Sequence, residues 1–85
     1  MLNSNVQKAL ESLTSRIDTK AGLASPGDRA AVVGTLSKLR SAGEPFEPED
    51  LAAWASLNGW TPKGVARIRS MANDVLVGKD IEARG

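Results

Sequence analysis

The 85-residue chain has no cysteine, no histidine and no tyrosine. Without cysteine there are no disulfides, thiolate metal sites or thiol nucleophiles. Without histidine the commonest metal ligand and the usual general base near neutral pH are gone. Carboxylates, lysine, serine and threonine remain, and these catalyse only where a pocket shifts their pKa values. A chain this short has little room for such a pocket, so the composition predicts a protein that is not an enzyme, with no cofactor and no small-molecule substrate. No stretch approaches the roughly 20 apolar residues that cross a bilayer, and the first twenty residues lack the apolar run of a signal peptide. The expectation is a cytoplasmic protein with no membrane partner.

Strand signals are also missing: β-branched residues are scattered and no run alternates for five residues. Charge of one sign is scarce, the net being +1. Such a balance creates no long-range field, although the last third, with Lys63, Arg67, Arg69, Lys79 and Arg84 against Asp74, Asp80 and Glu82, is mildly basic.

What is present is helical punctuation. An apolar fraction of 41% with 25% charged residues is an ordinary globular mix, and the length suits one core. Ser4 followed by Gln7 reads as a capping box. Val6, Leu10, Leu13 and Ile17 then share one face, with Arg16 and Lys20 in the last turn and Gly22 as the stop. Ser25-Pro26 with Asp28 opens a second helix whose stripe is Val32, Leu36 and Leu39, closed by Gly43. A third starts near Pro48 with Glu47 at its N-cap and Phe46 as a staple residue. Its inner face is Leu51, Trp54 and Ala55, and Asn58-Gly59 ends it, with Trp60 sealing the turn. Thr61-Pro62 begins a fourth helix lined by Val65, Ile68, Ala72, Val75 and Leu76 that is predicted to end at Gly78. The expectation is an all-α, compact four-helix domain over residues 1–78, with residues 79–85 as a frayed tail.

Helices two and four share a frame, the Ser-Pro and Thr-Pro starts lying 36 residues apart. With one pair to compare, two ordinary capped helices explain this as well as a duplication does. The acids Glu44, Glu47, Glu49 and Asp50 lack the spacing of a calcium loop and suit a helix start, so no metal is expected. Trp54 and Trp60 are expected as core residues rather than a stacking platform.

The segment Leu51–Ile68 resembles the helix-turn-helix of bacterial DNA-binding proteins. Ala55 is the small residue between the helices, Gly59 follows four later in the turn, and Val65 and Ile68 face inward. The resemblance implies a recognition helix from Pro62 to Leu76 with Lys63, Arg67 and Ser70 as DNA contacts. Gly64 in its first turn, Asp74 on the same face and the small net charge weigh the other way. Four further apolar residues, Val33, Leu57, Met71 and Val77, lie off or at the border of their helices' stripes; they would form a protein or homodimer interface if they cluster, and otherwise widen the core. On this balance the sequence favours a module that binds protein, with DNA contact as the alternative.

Overall fold

A computed structural model describes residues 2–84, with side chains described for residues 2–77. The described chain is all-α, four helices joined by short connections: α1 Ser4–Thr14, α2 Pro26–Ser41, α3 Pro48–Leu57 and α4 Pro62–Arg84, with a single 3₁₀ turn at Thr19–Ala21. No strand occurs among the described residues.

The helix starts follow their caps, with one shift. The N-cap of α1 is Asn3 rather than Ser4: its side-chain oxygen accepts from the amide of Val6 at 2.9 Å. Gln7 donates instead to the Leu2 carbonyl at 2.9 Å. Asparagine competes well with serine for this role, and from one residue earlier it takes the amide of Val6, the N3 position of its own frame, instead of that of Gln7. At α2, Ser25 caps and accepts from Gly27 N, Pro26 sits at N1 and Asp28 lies in the first turn, as predicted.

Helix α1 is shorter than its stripe predicted. It ends at Thr14, whose hydroxyl donates to the Leu10 carbonyl at 2.8 Å, so Arg16 and Lys20 are not in its last turn. Ile17 lies beyond the helix yet still packs on the core. Asp18 starts a new turn by accepting from the amides of Lys20 and Ala21, and that turn stops the earlier helix from propagating. Gly22, at φ +66°, closes this 3₁₀ turn and not α1.

Both predicted glycine stops after α2 and α3 have Schellman bonding. Glu44 N donates to Leu39 O at 2.9 Å across Gly43, and Trp60 N donates to Ala55 O at 3.0 Å across Gly59. The two glycines have φ of +77° and +83°, a region a side chain disfavours. Gly78 behaves otherwise: α4 continues through it to Arg84, because one interior glycine costs only about 1 kcal/mol of helix propensity. Residues 79–84, expected as a frayed tail, are thus part of α4; residue 85 lies outside the described residues.

Helix α1 packs on α2, α2 on α4, and α4 on α3, while the 3₁₀ turn lies against α4. Val6, Leu10 and Leu13 of α1 meet Val32 and Leu36 of α2 and Ile68 and Ala72 of α4 in one fully buried cluster. Phe46 and Leu51 are buried in the same cluster, consistent with a staple. Each buried leucine contributes about 1.5–3 kcal/mol by leaving water, so this stripe is what holds the four helices together. Trp60 is buried and stands edge-on to Trp54, ring centroids 6.5 Å apart at 76°. Trp54 is less enclosed than expected and packs at the border of the cluster.

Candidate functional site

Helices α1 and α2 run antiparallel, and two sets of polar contacts fix their register. At one end Glu44 accepts from Asn3 Nδ2 at 3.3 Å and Asn5 Nδ2 at 2.6 Å. At the other the Asp18 amide donates to Asp28 Oδ2 at 3.1 Å. Between these ends, on the side away from α4, the helices leave an open groove of about 560 Å³. Ala9, Ser12 and Arg16 form its α1 wall; Ala31, Gly34, Thr35 and Lys38 form the α2 wall, and Ala42 and Glu44 close one end. The floor is apolar because the residues at helical spacing here are small, and the helices' large side chains point to the core instead.

Gly34 sets this wall apart. It sits in the middle of α2, where glycine costs about 1 kcal/mol relative to alanine, and a Cβ built there would meet nothing within 4 Å. Neither backbone conformation nor packing inside the chain accounts for it. Other glycines differ: Gly43 and Gly59 have positive φ, a Cβ at Gly22 would come 3.0 Å from both Lys63 Cβ and Thr61 Oγ1, and one at Gly64 would come 3.4 Å from Thr61 Oγ1.

The groove also carries unneutralised charge. Arg16, from α1's side, makes one long bond of 3.4 Å to the Ser12 carbonyl. Lys38, from α2, makes none, and neither has a carboxylate partner among the described residues. Glu44 is already held by the two asparagines.

A second hollow, about 540 Å³, lies where α2 passes to α3, between Arg40, Glu44, Phe46, Glu47, Asp50 and Leu76. Its charges are of both signs and its walls do not converge on a reacting point. No group of three acidic residues could hold a metal ion among the described residues.

The residues marked out by the sequence are placed as follows. Lys63 and Ser70 are exposed on α4. Arg67 is not a free outward cation: its Nη1 donates to the Gly22 carbonyl at 2.9 Å, and the side chain is half-buried. The register of α4 against the 3₁₀ turn makes Arg67 a fastener for that loop, as Arg29 is through the carbonyls of Leu23 and Ala24. Of the four apolar candidates, Leu57 is 86% exposed, Val77 49% and Val33 39%, whereas Met71 packs against the core.

The three exposed ones come from three different helices, Val33 from α2, Leu57 from α3 and Val77 from α4. An ion pair between Glu49 of α3 and Arg69 of α4 at 3.3 Å, both side chains exposed, lies on the surface of the α3–α4 pair. The groove residues were missed because small side chains read as filler; the recurrence of Ala31, Gly34 or Thr35, Lys38 and Ala42 along one face was the available signal.

In class, then, this is a small all-helical domain with an open groove on its outer side. The chain belongs to the protein family described as domain of unknown function DUF1889, which matches residues 2–85. No curated protein and no solved structure matches it. No helix among the described residues is long and apolar enough to cross a membrane.

Proposed function

We propose that the chain is a non-catalytic interaction module that docks a helical segment of another protein between α1 and α2. One observation carries this reading: Gly34 lies on the wall of an apolar groove, at a helix position where the fold itself gains nothing from glycine. A missing Cβ on an exposed wall allows a second backbone to approach closely, and an apolar floor suits the apolar face of an amphipathic helix. The other small groups, Ala9, Ala31 and Ala42, extend that clearance. Each of the four helices already packs on another, so none of them is free to fill the groove.

The alternative of DNA contact through α4 has less support. It keeps Lys63 and Ser70 but loses Arg67 to the Gly22 carbonyl. One exposed lysine and one serine fall well short of the several phosphate neutralisations that DNA binding depends on.

An amphipathic peptide with an alanine-leucine face, titrated into the labelled full chain, tests the docking reading. Amide shifts should gather at Ala9, Ser12, Gly34 and Thr35. Gly34→Leu should abolish them while leaving the rest of the spectrum in place. Shifts that gather around Leu57 instead, or that survive Gly34→Leu, would contradict the reading.

A further inference from the structure

The groove's charge says what kind of helix it takes, an inference that rests on the docking reading above. Its floor is apolar, and its two walls each contribute one cation: Arg16 from α1's side and Lys38 from α2. Neither is paired with a carboxylate among the described residues; Glu44, the one acid at the groove, keeps its charge but is held at one end by the neutral amides of Asn3 and Asn5, so the groove carries an excess of one positive charge. A helix with a plain apolar face would leave both cations beside it unanswered. A basic helix would be repelled by them. An acidic one would neutralise both, and charge complementarity of this kind steers encounter and sets orientation.

The spacing can be read as well. The contacts of Asn3 and Asn5 with Glu44, and of Asp18 with Asp28, fix the antiparallel register of α1 and α2. In that register Arg16 comes level with Ala31 near one end of the groove. Lys38 is seven residues farther along α2, which is about 10 Å or two helical turns. We infer that the groove selects an acidic amphipathic helix whose small or apolar face lies on Ala9, Ala31 and Gly34. Two of its carboxylates, about two turns apart, reach Arg16 and Lys38.

Helix direction follows from the same arrangement. Glu44 stands at one end of the groove and Arg16 at the other. A helix N-terminus carries partial positive charge and its C-terminus partial negative, so the occupant's N-terminus points toward Glu44 and its C-terminus toward Arg16.

Three peptides sharing one alanine-leucine face, with glutamate, glutamine or lysine at two positions seven residues apart, serve as probes against the full chain. The glutamate peptide should bind most tightly. Its advantage over the glutamine peptide should be several-fold, on the order of tenfold for two exposed pairs together, and should shrink as salt rises. In an Arg16→Glu/Lys38→Glu variant the order should invert, with the lysine peptide now preferred. Both positions are exposed, so the variant is expected to fold, and its amide spectrum checks this. If all three peptides shift the groove amides with equal affinity, or the double variant keeps the original order, the acidic preference is wrong while docking stands. If none of them shifts the groove amides, docking fails and this inference with it.

Discussion

The indole Nε1 of Trp60 donates to the hydroxyl of Thr14 at 3.2 Å, joining the α3–α4 turn to the end of α1 across 46 positions of sequence. The same hydroxyl donates to the Leu10 carbonyl, so Thr14 both finishes α1 and receives the buried tryptophan. A buried indole needs such an acceptor, because an unsatisfied donor keeps the cost of losing its water.

Thr14→Val keeps the side chain's shape and removes the acceptor. It should destabilise the domain by about 1–3 kcal/mol, seen as a lower urea midpoint with unchanged slope. Combined with Trp60→Phe, which removes the donor, the loss should be smaller than the sum of the two single losses, since both break one bond. Strict additivity would mean that the bond contributes nothing.

Two glycine substitutions should have opposite signs. Gly34→Ala adds a methyl group into open space on a helix and should stabilise the fold by about 0.5–1 kcal/mol. Gly22→Ala places a Cβ at positive φ and 3.0 Å from Thr61 Oγ1 and Lys63 Cβ, and should cost at least about 1–2 kcal/mol. Thermal unfolding of the two variants side by side measures both.

Arg67→Ala should lower stability by about 1–2 kcal/mol, because the Gly22 carbonyl loses a charged donor. Lys63→Ala, at an exposed site, should change it by no more than about 0.5 kcal/mol. Duplex DNA added at low salt should leave the amides of Lys63, Arg67 and Ser70 unmoved. Salt-sensitive shifts at these residues would restore the DNA reading.

Leu57→Ser should be nearly neutral for stability, within about 0.5 kcal/mol, since that side chain is 86% exposed. Leu51→Ala, six residues earlier on the same helix but fully buried, should cost about 2–5 kcal/mol. Chemical denaturation distinguishes them directly.

These contrasts also mark how far the sequence could be read. Ser25-Pro26, Glu47-Pro48 and Thr61-Pro62 announced three helix starts, and Gly43 and Gly59 two stops, because capping and positive φ are decided within a few residues. The apolar stripes correctly named Val6, Leu10, Leu13, Val32, Leu36 and Ile68 as core, since helical spacing alone brings each set to one face.

What went wrong depended on partners distant in sequence or on competition between neighbours. Asn3 displaced Ser4 as cap, and Asp18 diverted the chain before Ile17 could join α1, each a choice between adjacent residues of similar preference. Arg67 looked free on a helical wheel because nothing local reveals the Gly22 carbonyl, 45 residues away. Met71 looked superfluous for the same reason, and the groove was overlooked because it exists only once α1 and α2 are set side by side.

Both tryptophans belong to the C-terminal half, Trp54 on α3 and Trp60 in the turn that follows it, and α1 and α2 contain no aromatic residue. Intrinsic fluorescence therefore reports the surroundings of α3 and of Trp60, including its contact with Thr14, whereas far-ultraviolet dichroism sums over every helix. The superposition of the two melting profiles becomes a direct measure of cooperativity: because one buried cluster joins α1 and α2 to α4 and Trp60, the traces should coincide.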